Sequence, residues 1–264
     1  MSDTQRYYEL ARDARDVVTL SIVNAGKMNI IGTPAITSLT EALARLAADR
    51  SVRAVILTGS GERAFVGGAD LNEMVKLNPT SARAFIRRLR DLCHAVRTLP
   101  VPVIARIQGW CLGGGLELAT ACDLRIADAG SKFAMPEVKV GIPSVIHAAL
   151  LPRLIGSGRT RWLLMTAQTI DARRALEWGF VDVVAEGSLD AEVEQAVADV
   201  LSCGPEVMRS QKALLNAWDE ISLSAGVELS VDAFGSAFET GEPARYMGEF
   251  FARKEASKAR QGSA

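Results

Sequence analysis

The chain has 264 residues, with 30 Lys and Arg against 31 Asp and Glu, a formal net charge of −1 and 48% hydrophobic residues. That length suits one substantial domain with a helical appendage, and the near-neutral balance excludes a strong general attraction to polyanions. No apolar run is long enough to span a bilayer, so no membrane partner is expected; the opening residues Met1-Ser2-Asp3-Thr4-Gln5-Arg6 lack an apolar signal region, so a cytoplasmic location is expected.

In chain order, Asp16–Val23 reads as a strand and Ala35–Asp49 as a helix; Arg53–Thr58 reads as a buried strand that Gly59-Ser60-Gly61 breaks. The stretch Ala64-Phe65-Val66-Gly67-Gly68-Ala69-Asp70-Leu71 is a glycine-rich loop before a helix start, with Asp70 placed as a cap. Ser81–Thr98 is a helix on which Arg83, Arg87 and Arg90 fall at i, i+4, i+7, with Arg88 and Arg97 on the same helix. Such a stripe is either a solvated face or an RNA contact, and the near-neutral total makes nucleic acid an unlikely partner.

Val101–Ile107 reads as a strand that runs through Gln108-Gly109-Trp110-Cys111-Leu112 into Gly113-Gly114-Gly115-Leu116-Glu117. The helix-forming, almost wholly apolar segment Leu116–Cys122 follows, so a strand ends where a helix begins. The first N–H groups of a helix have no internal partner, the macrodipole adds positive charge there, and glycine lets a ligand oxygen approach closely. Gly114 N–H is the candidate donor. Glu117 lies about one turn away on the same side. It is the only charge between Leu112 and Cys122, so its carboxylate must be paired, hydrogen-bonded or raised in pKa. From these residues alone, an anion-stabilising site and a structural Glu held by an Arg both stand open.

Asp123–Ala127 and Phe133–Ala134 read as short strands, and Pro143-Ser144-Val145-Ile146-His147-Ala148-Ala149-Leu150-Leu151-Pro152 as the start of an apolar helix. From Gly158 the pattern is mostly helical, with Val181–Val184 as one more strand and amphipathic segments at Ala225–Phe238 and Pro243–Lys254. Repeated strand-then-helix units imply right-handed crossovers in an α/β core. Cys93, Cys111, Cys122 and Cys203 have no metal-type spacing, and neither a Walker loop nor GxGxxG is present, so no metal site is expected.

Three segments in matching order, Ala64–Leu71, Gly109–Asp123 and Lys132–Pro143, resemble the enoyl-CoA hydratase/isomerase family, the crotonase superfamily, over nearly the whole chain. The resemblance implies an α/β, crotonase-like spiral of ββα repeats over 1–203 and a helical oligomerisation region over 204–264. It also implies a homotrimer or a dimer of trimers, and no cofactor beyond the coenzyme A carried by the substrate. Ala69 and Gly114 match the two residues whose N–H groups form the family's oxyanion hole, and Glu117 and Glu137 match the two glutamates of its hydratases. Glu117 is then the base that activates water and Glu137 the proton donor to the α carbon, with the two labels open to exchange. The implied reaction is hydration of a trans-2-enoyl-CoA to a 3-hydroxyacyl-CoA. An isomerase or hydratase-lyase using the same enolate, and an acyl-CoA binder without turnover, are the alternatives.

The family match places Lys27 and Met28 at the nucleotide-contacting turn, Gly67 against the adenine, and Phe238 and Lys254 where relatives contact coenzyme A. Asp70, Leu71, Gly113 and Ser144 are expected at the substrate site, although Asp70 also reads as a cap and Lys27 as a solvated turn lysine. One departure stands out. Many hydratases have a glycine-rich stretch where this chain has Ser144 to Leu151, a change that resembles members acting on branched or glutaconyl-type thioesters. An apolar wall there favours an alkyl or aryl acyl chain over one ending in carboxylate, Arg153 being the nearest cation. His147 faces the pocket or packs against the core on this reading.

Overall fold

The structure, a computed structural model, describes residues 5–261; Met1 to Thr4, part of the stretch read for a signal, lie outside them. The strands are β1 (Tyr8–Arg12), β2 (Val17–Ile22), β3 (Ala54–Gly59), β4 (Ala64–Val66), β5 (Val103–Ile107), β6 (Trp110–Leu112), β7 (Leu124–Asp128), β8 (Lys132–Ala134), β9 (Ile170–Asp171) and β10 (Val183–Ala185). The helices are α1 (Thr33–Ala48), α2 (Leu71–Met74), α3 (Pro79–Arg97), α4 (Gly114–Thr120), α5 (Leu151–Ile155), α6 (Ser157–Thr166), α7 (Ala172–Trp178), α8 (Leu189–Leu201), α9 (Pro205–Trp218), α10 (Leu223–Ala237) and α11 (Glu242–Gln261). None of them is long and apolar enough to cross a membrane.

The chain divides into two compact units, Met1–Ala198 and Asp199–Ala264. In the first, a six-stranded sheet of order β1-β2-β3-β5-β7-β10 is joined by a four-stranded sheet of order β4-β6-β8-β9. Each of β3, β5 and β7 lies in the large sheet, and the strand that follows it, β4, β6 or β8, lies in the small one. The chain therefore spirals, laying one strand into each sheet per turn, with the pairs β3–β5–β7 and β4–β6–β8 all parallel. Interior parallel strands are covered on both faces, which is why β3 and β5 are runs of buried aliphatic residues rather than alternating ones.

The core lies between the sheets and the crossover helices. α1 buries Ile36, Leu39, Leu43 and Leu46, and α3 buries Phe85, Leu89, Leu92, Cys93 and Val96. Both are period-3.6 stripes. α3 starts sharply because Asn78 and Ser81 form a capping box with Pro79 in the first turn. α1 begins at Gly32, which offers no side-chain cap, and Glu73 of α2 takes over: its carboxylate accepts the Thr33 N–H at 2.7 Å.

Three differences from the sequence reading have local causes. β1 escaped notice because only Tyr8 of its five residues is buried, leaving no periodic signal. β4 and β6 read as loops because three residues are too few to show a period. The apolar helix expected from Pro143 is broken: Ile146 takes φ 40°, a 3₁₀ turn covers Ile146–Leu150, and α5 begins only at Leu151.

The second unit consists of α9, α10, a short 3₁₀ turn over Phe238–Thr240, and α11. α9 also starts at a glycine, Gly204, and the buried Glu242 caps it, accepting from Glu206 N–H at 3.1 Å and Val207 N–H at 2.9 Å. Phe234, Phe238, Phe250 and Phe251 are all exposed on this unit.

Gly109, between β5 and β6, sits at φ +63°, and an added Cβ would lie 2.2 Å from Arg63 O. Gly109→Ala is expected to destabilise by at least roughly 1–3 kcal/mol from the dihedral alone, more than Asn78→Ala, whose lost cap costs about 1 kcal/mol. Urea denaturation of both variants checks the order; a neutral Gly109→Ala would refute the close approach.

Candidate active site

The site forms where two turns of the spiral leave the small sheet. After β4 the chain passes Gly67 and Gly68 to Ala69, and the loop before it is tied down by two buried amide side chains. Asn29 Nδ2 donates to Ser60 O at 3.0 Å and Ala64 O at 2.8 Å, and Gln108 Nε2 to Gly59 O at 2.6 Å and Gly61 O at 2.9 Å. Ile31 then bridges the loop end: its N–H donates to Gly68 O at 3.0 Å, and Asp70 N–H donates to Ile31 O at 3.3 Å. Those bonds use the backbone on either side of Ala69, and the Ala69 N–H itself donates to no backbone carbonyl among the described residues.

The second turn brings β6 to Gly113, whose N–H donates to Ala134 O at 3.0 Å, and α4 begins at Gly114. As the first residue of the helix, Gly114 has no intrahelical acceptor for its N–H. An added Cβ on Gly115 would meet Val66 O at 2.3 Å, so only glycine lets α4 start this close to β4. A Cβ on Gly114 would come 3.9 Å from Ala69 N. The Gly114 backbone therefore lies close to the Ala69 amide, and both residues line the same cavity.

Glu117 is buried, 3% exposed, and its Oε1 accepts the Ala148 N–H at 3.2 Å. No Arg holds it. Burial raises its pKa to about 8, the Ala148 amide opposes the rise, and the negative charge of Glu137 adds to it. Glu137 is half-buried at the start of the 3₁₀ turn Glu137–Val140; burial raises its pKa above the ordinary carboxylate value, while hydrogen bonds from its own backbone N–H and then from Ser144 Oγ to Oε2, the latter 2.9 Å long, pull it down. Gly113 leaves room for this carboxylate, since a Cβ there would lie 2.6 Å from Glu137 Oε1.

A cavity of about 310 Å³ opens here, lined by Gly67, Ala69, Asp70, Leu71, Gly113, Gly114 and Glu137, all named from sequence, and by the apolar Ile30, Met74, Leu112, Val140 and Ile142. Asp70 also caps α2, accepting the Asn72 N–H at 2.8 Å. Met28 O accepts the Gly67 N–H at 2.7 Å, which places Met28 against the cavity wall, whereas Lys27 is an exposed residue of the preceding turn outside the lining. Ser144 reaches Glu137 instead of lining the cavity. Phe238 and Lys254 belong to the second unit.

His147 is outside the lining too, with Nδ1 buried and unpartnered; burial, then the positive charges of Arg97, His94 and Arg90, lower its pKa to about 4. Arg83, Arg87, Arg88 and Arg90 of α3 are exposed, Arg83 bonding Pro79 O and Arg90 pairing with Asp91, whereas Arg97 is half-buried. The residue that sequence reasoning missed is Ala148: its contribution is a backbone N–H, which no side-chain pattern signals.

The family model described as enoyl-CoA hydratase/isomerase matches residues 13–257. The crotonyl-CoA hydratase of Syntrophomonas wolfei is 33% identical over 254 residues, covering 95% of this chain and 98% of that protein. The short-chain-enoyl-CoA hydratase of Clostridium acetobutylicum is 32% identical over 240 residues, covering 90% and 92%. The crystal structure of an enoyl-CoA hydratase from Bacillus anthracis superposes with a TM-score of 0.89 at 30% identity, over 94% of this chain and 97% of that one. With this match running through both glycine loops and both glutamates, the chain belongs to the enoyl-CoA hydratase/isomerase family.

Proposed function

We propose that this protein adds water across the double bond of a 2-enoyl-CoA thioester, giving the 3-hydroxyacyl-CoA. The observation that carries this reading is the pair of interacting carboxyl groups, Glu117 and Glu137, beside the loops that present the Ala69 and Gly114 amides. The relatives named for crotonyl-CoA and short-chain enoyl-CoA hydration support it.

In the proposed reaction the thioester oxygen lies against the Ala69 and Gly114 N–H groups. As water oxygen bonds to the β carbon, the π electrons move toward the thioester and negative charge grows on its oxygen. Two preorganised amides stabilise that enolate more than the neutral carbonyl, so they act on the barrier and not merely on binding. Losing one such donor costs roughly 3–4 kcal/mol. The enolate collapses when the α carbon takes a proton.

The carboxyl pair handles the protons. Glu117, raised to about 8, carries a proton at neutral pH; in the proposed reaction an ionised member of the pair takes a proton from water and a protonated member supplies the α carbon. Burial holds the resting proton on Glu117, the deeper of the two. This takes the exchanged form of the two labels that the family resemblance left open. A simple isomerase moves one proton between carbons and needs no second carboxyl, so the pair favours hydration. No cofactor is required, since coenzyme A arrives with the substrate.

The cavity lining carries Asp70 and Glu137 but no Lys or Arg, which favours an uncharged alkyl or aryl acyl group over one ending in carboxylate. For assembly, the exposed Phe234, Phe238, Phe250 and Phe251 support burial of the second unit in a homotrimer or dimer of trimers.

Loss of enoyl absorbance with a panel of straight, branched, aryl and carboxylate-ended 2-enoyl-CoAs, with product mass checked for one added water, tests the reading. Glu117→Gln and Glu137→Gln are each expected to lower turnover by about 10²–10⁴-fold while acyl-CoA still binds. Binding without water addition on any member would sink the hydratase assignment. Stability provides a separate check. A carboxyl whose pKa rises from 4.5 to about 8 on folding stabilises fully below 4.5, loses that contribution as pH climbs, and is flat above 8; the raised Glu137 adds the same sign. Glu117→Gln is therefore expected to unfold at higher denaturant than the parent at pH 9, with the gap closing near pH 4.5.

A further inference from the structure

The segment that replaces the family's glycines touches both carboxyl groups. At one end Ser144 Oγ donates to Glu137 Oε2 at 2.9 Å, and four residues on Ala148 N–H donates to Glu117 Oε1 at 3.2 Å. Between them Ile146 holds φ 40°, a left-handed conformation that a β-branched residue rarely adopts. Surroundings keep it there: Ile146 packs on the core, and Ala148 and Leu151 just beyond are buried. Two directed hydrogen bonds from one short, conformationally constrained segment fix the two acids relative to each other.

We propose that Ser144 is a positioning residue for Glu137, and that with the Ala148 amide it makes residues 144–148 a two-point clamp on the reacting pair. The proposal rests on the hydratase reading for its kinetic consequence but not for its geometry. Ser144 does not line the cavity, so it acts through Glu137 and not on the acyl group. The charged or titratable groups around Glu137 are Glu117 on α4, Asp70 on the far loop, Lys139 on its own turn and His147 within the clamp. Among the described residues none of them donates a hydrogen bond to its carboxylate; beside Glu137's own backbone N–H, the Ser144 hydroxyl is the side-chain donor that orients it.

The test is Ser144→Ala, with Ser144→Thr as the conservative partner. In the alanine variant kcat is expected to fall roughly tenfold, the size of one hydrogen bond to a charged group, while KM stays near the parent value. The limb of the pH–rate profile governed by Glu137 moves to higher pH, because a donor that favours the ionised form is gone. Threonine restores most of kcat and returns the limb.

Carbon-13 NMR titration of the glutamate carboxyls reads the same upward shift of Glu137 without any turnover, so the result stands whether or not hydration is the reaction. An unmoved Glu137 titration in Ser144→Ala overturns the clamp. So does a rise in KM with kcat retained, which would make Ser144 a substrate contact. Failure of the hydratase reading has a different signature: the parent protein itself adds no water to any 2-enoyl-CoA, while the NMR shift persists.

Discussion

Burying the Glu117 carboxyl beside the first turn of α4 is the constraint on which the rest of the site depends. An ionised carboxylate in that apolar setting is costly, so the group keeps a proton to about pH 8 and takes one hydrogen bond, from Ala148. Every residue of the seven-residue helix that carries it is buried, and its first amides have no acceptor within the helix, Gly114 lining the cavity instead. Gly115 must sit against Val66 O for the helix to start where it does, and Gly113 must leave space for Glu137. A buried acid and unsatisfied amides are each a liability in a structural core. Glu117 lies behind the cavity lining, one turn along α4 from the lining Gly114, and this arrangement matches a reaction that needs a proton donor and an anion cradle.

The two-sheet spiral explains how residues nearly fifty positions apart arrive there. β3 into β4 and β5 into β6 are successive turns of one parallel winding, so the loops after β4 and β6 leave the small sheet side by side. Ala69 lies at the end of the first loop and Gly114 at the end of the second. β8, the third turn, delivers Glu137 three residues past its end by the same rule. Position in the repeat, more than any local preference, sets which residues meet. The buried Asn29 and Gln108, bonded to carbonyls of residues 59–64, hold the turn between β3 and β4 in that register.

Much of this was legible in the chain because chemistry and local backbone coincide there. Gly113-Gly114-Gly115-Leu116-Glu117 announces a helix start and a lone buried acid within five residues, and both features are present. Asp70 reads as a cap and acts as one. The strands β4 and β6 were illegible because three residues carry no period, and β1 because it buries one side chain. The contacts of residues 144–148 were out of reach for a different reason. A run such as Val145-Ile146-His147-Ala148-Ala149-Leu150-Leu151 has helical apolar spacing, and only tertiary packing forces Ile146 out of the helical region. Ser144 was expected at the acyl group, yet its hydroxyl turns to Glu137.

The left-handed Ile146 raises the question of why a strained residue stands where glycine would be free of strain. Glycine at φ 40° avoids the steric cost of roughly 1–3 kcal/mol, but it loses more backbone entropy on folding and samples many other conformations in the native loop. A β-branched side chain has few alternatives once its χ1 is packed against the core, so the strain is exchanged for stiffness. Stiffness matters at this point because the segment carries hydrogen bonds to both acids, and an error at Ser144 or Ala148 is transmitted directly to the reacting carboxyls. Here a hydroxyl and an amide divide the work, and the residue between them is rigid.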